Sequence, residues 1–420
     1  GNSAHLSFYV TDEKGNLVYD YDGHKGLTTA STQKIFTAAM ALETLGKDYQ
    51  WTTTTAYSGE IFSETLNGNL FVTSNGDPSL GSWRYENFKP ENFKNQFISA
   101  IKNKNIKEIN GDLVIDDSYF DFQIIPNGWE WGDVGNYYGA GVWGVNWREN
   151  QFDIHLENAK IKEINPMLPN LKWVNETAVA GQSDKSVVYT VPHSDVALIN
   201  GTLPMKNIKV SGAMPNPPLV LGYEIKSWLA ENNIKLNGKI TTTSLMKINN
   251  EELIKFSAKN QFFEYKSPTL DKIIYWFMRK SVNLYGETLV KTMAKEKKNN
   301  SSFATGMEQM KAFWKSKGIN EYMINFADGS GLSPKNYVSA KAEVQALLWA
   351  KNQNWFPVFY ESFPTLNGMK MKSGTMKYTK SFAGYHTSKT GKKYVYSIII
   401  NNYQSSDLST PLFRILDILK

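Results

Sequence analysis

Ser31-Thr32-Gln33-Lys34 sets a hydroxyl and an amine three residues apart, at the start of a segment whose apolar residues recur at helical spacing. Residues three apart share a helix face, so the Lys34 amine is expected beside the Ser31 hydroxyl. The positive end of a helix favours both an alkoxide and a neutral amine, and burial lowers a lysine pKa further. The chemistry implied is a serine nucleophile with lysine as its base. Histidine offers no rival: His5, His24, His155, His193 and His386 are scattered singly, and the chain has no G-x-S-x-G, H-E-x-x-H or G-x-x-x-x-G-K-[ST]. The absence of cysteine excludes disulfides, thiolate metal sites and a thiol nucleophile.

The same four-residue pattern recurs at Ser99–Lys102 and Ser244–Lys247. Ser99 falls well inside an amphipathic helix with no free amides near it. Ser244 is expected at a strand end, where residues three apart point to opposite faces. On this reading only Ser31 opens a helix. Ser281-Val282-Asn283, the single S-x-N of the chain, lies between two expected helices. A turn there can aim a hydroxyl and a carboxamide into one cleft, or can be an ordinary capped connection. Near the C-terminus, Ser388–Lys393 reads as a hairpin turn with exposed lysines, whereas Lys372-Ser373-Gly374-Thr375 lies within a strand. In that strand Lys372 and Gly374 face one way, Ser373 and Thr375 the other. Gly374 would let a substrate backbone approach, and the Thr375 amide can donate if the strand is an edge.

The elements that must position these residues follow from periodicity. Two strands open the chain, Leu6 to Thr11 and Leu17 to Tyr21; a helix follows, carrying Ile35, Phe36, Ala39, Leu42 and Leu45, closed by Gly46 and capped near Thr28-Thr29. From residue 49 to 256, short strand-like runs alternate with Gly, Asn, Asp and Pro, which reads as a mainly β inserted region with one amphipathic helix at Phe93 to Lys104. The aromatic, Gly-rich loop Trp129 to Trp147 stands out within it. Helices return from 257: Ser267-Pro268 reads as N-cap and N1, a second helix starts near Leu284, and Phe303 to Ser316 and Ser339 to Lys351 read as two more. Lys370 to Met376, Phe382 to Thr387 and Tyr394 to Asn401 read as strands, and Pro411 to Leu419 as a closing helix. Residues 1–48 and 257–420 are thus expected to share one discontinuous domain, interrupted by 49–256.

Composition agrees with a folded chain of two or three domains: 420 residues, 41% hydrophobic and 20% charged. No apolar run approaches the roughly 18–20 residues that span a membrane. The net charge of +6 comes without a block of like charges, so a nucleic-acid surface is not indicated. Gly1–His5 is not a signal peptide, and an exported protein would have lost its targeting segment.

Taken in order, S-x-x-K, S-x-N and K-[ST]-G resemble the signature of penicillin-binding proteins and serine β-lactamases. Along nearly its whole length the chain resembles the low-molecular-mass class C branch, the D-alanyl-D-alanine carboxypeptidase/endopeptidase (peptidase S13-like) family. Gly76-Asp77-Pro78-Ser79-Leu80, Gly111-Asp112-Leu113-Val114-Ile115-Asp116 and Asp328-Gly329-Ser330-Gly331-Leu332-Ser333 support the likeness. Ser31 and Ser281 stand 250 residues apart (281 − 31), far more than in a compact β-lactamase and similar to that family, which carries two inserted domains between these motifs.

The resemblance implies an α+β fold: a penicillin-binding domain, with an antiparallel sheet flanked by helices, and two inserted mainly β domains. It implies Ser31 as nucleophile, Lys34 as base, Ser281 as proton relay to the leaving amine and Asn283 as a clamp on the substrate amide. Lys372 and Ser373 would bind a terminal carboxylate or orient the relay. The amides of Ser31 and Thr375 would form the oxyanion hole, worth about 3–4 kcal/mol per donor. The implied substrates are peptidoglycan stem peptides in the periplasm or cell envelope, with β-lactams as covalent inhibitors and with no cofactor, metal or nucleic-acid partner. Many relatives have an acidic or polar residue where this chain has Val282. Apart from the resemblance, Trp129-Glu130-Trp131-Gly132-Asp133 has two readings, a structural aromatic loop or one whose Asp133 meets a free amine on the stem peptide. Two other functions could use the same residues: a serine β-lactamase, which needs an added water-activating group, and a non-catalytic peptidoglycan binder or sensor of the same fold.

Overall fold

Burial on both faces marks the central strand of the main sheet. Along Lys393–Asn401, Tyr396 and Ile398 face one side and Val395, Ser397 and Ile399 the other, and both sets are buried, as in a strand covered on two faces. This strand pairs antiparallel with His5–Asp12 on one side and Thr379–Thr387 on the other, so that Phe8 and Phe382 both stand opposite Ile398. The sheet extends to Leu17–Tyr21 beyond the first neighbour and to Met369–Met376 and the short Thr365–Leu366 beyond the second. The two ends of the chain therefore share one antiparallel sheet. The computed structural model describes residues 3–254, 256, 258–404 and 407–420.

Each face of the sheet has a helical cover. Leu412 and Leu416 of Ser409–Leu416 pack with Phe8, Val10, Phe382, Tyr396 and Ile398. On the other face lies Ala340–Lys351, whose Glu343 takes a hydrogen bond from Ser397. Further in is the helix Lys34–Leu45, in which every residue from Lys34 to Leu42 is buried; a helix enclosed on all sides carries few polar groups. Its start differs from expectation. Thr29 makes no capping bond, and Ala30–Gln33 forms a 3-10 turn running into the helix, with Ala30 at φ +50°. The cap expected at Ser267 is also displaced. The helix Leu270–Arg279 begins after Thr269, and the Ser267 hydroxyl is engaged by the Trp51 amide and the Pro268 carbonyl.

The chain divides into two units: Gly1–Tyr49, Pro126–Trp129 and Thr269–Lys420 form the first, Gln50–Ile125 and Glu130–Pro268 the second. Ser257, where the sequence reading places the return to the first domain, lies outside the described residues. Gln261–Lys266, beyond it, pairs with Thr52–Tyr57 inside the second unit. That unit contains a five-stranded, a four-stranded and two three-stranded sheets around Phe93, Phe97, Trp147, Phe152 and Leu221. It holds more helix than the one expected. Pro217–Glu231 buries Val220, Leu221, Ile225 and Leu229, with Asn216 capping the Leu219 amide at 3.0 Å and Pro217 at N1. Asn-Pro-Pro resembles loop punctuation, yet Pro costs nothing at a helix start, where its missing N–H would have no partner.

Glu343 makes the sheet's stability depend on pH. Ser397 Oγ donates to its Oε2 at 2.6 Å, while Oε1 has no partner. Burial raises this carboxyl from 4.5 to about 7. The folded protein thus keeps a proton that the unfolded chain has already released. The associated stability is complete below about pH 4.5 and is lost as pH rises through about 7. We expect Glu343→Gln to remove a loss of up to about 3 kcal/mol across that window. Denaturant unfolding of both proteins at about pH 5 and about pH 8 checks this; equal losses in the two would refute it.

Candidate active site

Ser31 is the second residue of the turn Ala30–Gln33, and Lys34 begins the helix that continues it. Strands and loops hold the turn from several directions. Ser381 Oγ donates to the Thr29 carbonyl at 2.5 Å and lies 3.1 Å from Thr32 Oγ1, which is itself 3.1 Å from that carbonyl. Gly331, at φ +83°, leaves no room for a side chain: a Cβ would stand 2.0 Å from the Ala30 carbonyl oxygen. Gly374 presses on the turn in the same way, its would-be Cβ lying 2.2 Å from the Thr29 oxygen and 3.0 Å from the Ser31 nitrogen. This corrects the role expected of Gly374. The space it leaves is filled by the chain's own turn at Thr29–Ser31 and is not open to a substrate backbone.

Ser31 is half-buried and Lys34 fully buried. Lys34 Nζ lies 2.9 Å from Ser31 Oγ, 2.7 Å from Asn283 Oδ1 and 2.7 Å from the Ser330 carbonyl oxygen. The last two can only accept hydrogen bonds. In the neutral amine they take both N–H groups, and the lone pair is left for the Ser31 hydroxyl. Burial drives the Lys34 pKa down to about 7; a carboxylate at Asp328, or at Glu287 were it ionised, pulls the other way. A base titrating there is matched to work near neutrality.

Asn283 opens the helix Asn283–Lys298, and Ser281 lies just before it, after Leu270–Arg279. Ser281 has φ +57°, in the left-handed region that non-glycine residues rarely occupy. Its Oγ is buried and has no hydrogen-bond partner. A strained residue with an unpaired hydroxyl is a feature of sites that await a ligand.

Met369–Met376 supplies an open edge. The Met371 amide donates to the Pro364 carbonyl, away from the neighbouring strand Thr379–Thr387. Backbone groups alternate along a strand, so the amides of Ser373 and Thr375 point the same way. Thr365–Leu366 pairs only with Met369 and Lys370, and among the described strands none pairs further along this edge. Lys372 is buried, and its Nζ donates to the Ser373 carbonyl at 2.8 Å. Burial, with added repulsion from Lys34 and Lys380, pushes its pKa well below the lysine range. Thr375 is exposed, and its hydroxyl accepts from Lys380.

The competing serines separate for a different reason than expected. Ser244 is not at a strand end: Thr243–Ile248 is a helix capped by Thr242, so opening a helix does not single out Ser31. Burial of the lysine does. Lys247 is exposed over the Phe122 ring, and Ser244 Oγ donates to Asp117. Ser99 lies exposed in mid-helix, and Lys389 is exposed in the turn between the last two strands.

The sequence reading gave no role to the loop Asp328–Ser333. Asp328 is buried and gathers the Gly331 amide (2.7 Å), the Ser333 amide (2.6 Å), Asn336 Nδ2 (2.9 Å) and Trp129 Nε1 (2.8 Å). Gln33 Nε2 reaches both its carbonyl, at 2.6 Å, and its carboxylate, at 3.3 Å. Tied in this way, the loop presents Ser330 O to Lys34 and Gly329 O to Thr37 Oγ1, at 2.7 and 2.6 Å. In the sequence it stood out as a crowding of Asp, Gly and Ser that supported the family likeness, with no role for any single residue. Asp133 belongs to the second unit, in the short helix Trp131–Val134. Burial raises the pKa of its half-buried carboxyl, which accepts from Tyr138 at 3.2 Å, and the neighbouring Trp131 is exposed and stacks on Tyr189.

Comparison with known proteins puts this geometry in context. The D-Ala-D-Ala carboxypeptidase 3 (S13) family profile matches residues 2–414. The chain is similar to D-alanyl-D-alanine carboxypeptidase DacB of Haemophilus influenzae, with 27% identity over 431 residues, covering 96% of this chain and 86% of that protein. Its fold is similar to the crystal structure of penicillin binding protein 4 (dacB) from Haemophilus influenzae, at TM-score 0.84 and 25% identity, covering 100% of this chain and 97% of the other. A second structure of that protein, complexed with a β-lactam, matches at TM-score 0.78 and 24% identity with the same coverage.

If Lys34 is the base that takes the Ser31 proton, acylation of Ser31 by a penicillin should speed up with rising pH, with a midpoint near 7. Lys34→Met should slow it about a hundredfold or more and abolish the midpoint. Stopped-flow acylation across the neutral range tests both; a native rate that is flat or falls with pH would refute the assignment.

Proposed function

The chain belongs to the D-Ala-D-Ala carboxypeptidase 3 (S13) family and is a serine D,D-peptidase, and we propose that Ser31 is the nucleophile with which it cleaves D-alanyl-D-alanine ends or D,D-crosslinks of peptidoglycan stem peptides. One observation carries this reading: the buried Lys34 amine, 2.9 Å from Ser31 Oγ, has its other directions taken by acceptors.

In the proposed reaction Lys34 takes the Ser31 proton as Oγ attacks the carbonyl carbon of the penultimate D-alanine. The amides of Ser31 and Thr375 receive the developing oxyanion. Ser281, with its unpaired hydroxyl, passes the proton from Lys34 to the leaving nitrogen; the C–N bond breaks, and D-alanine or the crosslinked amine departs. Water then attacks the ester on Ser31 and releases the shortened peptide. Asn283 holds the substrate amide, and Lys372 and Ser373 receive the terminal carboxylate. That anion would restore the charge which burial takes from Lys372. β-Lactams would acylate the same Ser31.

The substrate places the protein in the periplasm or cell envelope; among the described residues no helix is long and apolar enough to cross a membrane. The side chains of all three motifs are present, which argues against a non-catalytic sensor. The match to a carboxypeptidase family over residues 2–414 argues against a β-lactamase. For Asp133 we propose contact with a free amine on the stem peptide, supported by its half-buried, sparsely bonded carboxyl.

Labelling with a fluorescent penicillin tests the nucleophile. One label per chain is expected on the native protein and none on Ser31→Ala; equal labelling of the two would remove Ser31 from its role. For Asp133, the ratio of kcat/KM for amine-bearing over amine-lacking peptides should fall about tenfold in Asp133→Asn, the loss of one exposed charge contact. An unchanged ratio would end that assignment.

A further inference from the structure

Glu287 lies one turn along the helix Asn283–Lys298 from Asn283 and is wholly buried. Its Oε2 accepts from the Gly329 amide at 2.9 Å, while Oε1 has no hydrogen-bond partner. The side chain facing it is Ser330, whose hydroxyl is also buried without a completed hydrogen bond. Glu287 therefore braces the two residues whose carbonyls hold the nucleophile helix: Gly329 O takes Thr37 and Ser330 O takes Lys34.

Two carboxyls stand near Lys34, and the supply of donors distinguishes them. Asp328 draws two backbone amides, an indole N–H and two carboxamide N–H groups, the environment of a carboxylate. Glu287 receives one amide and retains an idle oxygen beside an idle hydroxyl. A buried carboxylate with one donor is costly, whereas a carboxylic acid needs only one acceptor for its O–H. No ammonium hydrogen of Lys34 is left for Glu287, since all three directions are used by Ser31, Asn283 and Ser330.

We propose that Glu287 is a positioning residue that works as an uncharged carboxylic acid: its carbonyl oxygen holds the Gly329 amide, its O–H turns to the Ser330 hydroxyl, and its neutrality keeps a second negative charge away from Lys34. The titratable groups around the pair include Lys34 on the helix Lys34–Leu45, Asp328 on the loop and Lys372 on the edge strand, which couples to Lys34; Lys291, one turn further along the helix of Glu287, is also buried, with its amine over the Phe303 ring. Burial and the Asp328 charge raise the Glu287 pKa to about 8, in the same sense. An ionised Glu287 would stabilise the Lys34 ammonium and withdraw the base at neutral pH.

The inference rests on Lys34 acting as the base for Ser31. Penicillin labelling that is present in the native protein and absent in Ser31→Ala keeps that reading in place whatever the Glu287 variants do. Acylation by penicillin across the neutral pH range is then compared in Glu287→Ala and Glu287→Gln. Ala leaves the Gly329 amide and the Ser330 hydroxyl without support, and acylation should fall about tenfold or more. Gln offers a carbonyl to Gly329 and an N–H to Ser330, as the acid does; it should restore the rate to within about threefold, with its midpoint still near that of the native enzyme. Three results would overturn the proposal: Gln as impaired as Ala, a Gln midpoint lower by about one pH unit or more, or an Ala variant that acylates like the native protein.

Discussion

A lysine amine enclosed by protein with no carboxylate bonded to it is the constraint on which the catalytic unit depends. Moving the Lys34 pKa from 10.5 to about 7 corresponds to disfavouring its ammonium by about 5 kcal/mol relative to water. A flexible site would give up such a bias by admitting solvent or bringing in a counter-charge. Here the helix around Lys34 is buried on every side, and the two acceptors that orient the amine come from rigid supports. Asn283 sits in the first turn of a helix, and Ser330 O belongs to a loop tied down through Asp328. Both acceptors are uncharged. They steer the amine while stabilising its protonated form less than a bonded carboxylate would, so that burial still sets the direction of the shift.

The same demand explains the crowding of glycines. The nucleophile turn lies between a loop and a strand that touch its backbone, at distances where a methyl group would overlap carbonyl oxygen. Such contact fixes the position of Ser31 relative to the edge strand to a degree that side-chain packing, with its rotamer freedom, would not. Sheet topology supplies the rest. Because the two chain ends pair in the centre and Met369–Met376 lies near the margin, the strand that approaches Ser31 also has, beyond Met371, an edge that no other described strand pairs with. In a central strand the Thr375 amide would already be spent on a neighbour.

The sequence showed the site's letters and most of its elements, and the gaps have physical causes. Ser31, Lys34 and the strand around Lys372 were legible because their neighbours alternate or recur with the period of their element. The hairpin read around Lys389 is present, since its flanks pair. Ser244 was misread because the strand does form but stops at Thr242, one residue before its threonines end, and Thr242 then caps the helix that holds Ser244. The approach of Gly374 to Thr29 and the support of Ser330 by Asp328 join residues separated by hundreds of positions. No local pattern records such contacts. Trp129 shows this clearly: it read as one more ring of an aromatic loop, yet its indole N–H is one of the bonds holding Asp328.

Two buried lysines near each other are more than either needs for its own task, and their proximity couples them. Lys34 depresses Lys372, and Coulomb's law requires that a charge on Lys372 depress Lys34 in return. An empty site thus disfavours charging both, and each amine is held by neutral acceptors. An anion arriving at Lys372 changes this balance, because it favours the ammonium there. The field of that ammonium would reach Lys34 and oppose its protonation, less whatever part the anion's own field cancels. A terminal carboxylate would then do more than anchor the peptide, since its binding would leave the base more fully unprotonated when the scissile bond is in place. A ligand without the carboxylate would fill the same cleft and leave the two amines as they were, so that recognition and activation rest on one electrostatic pair.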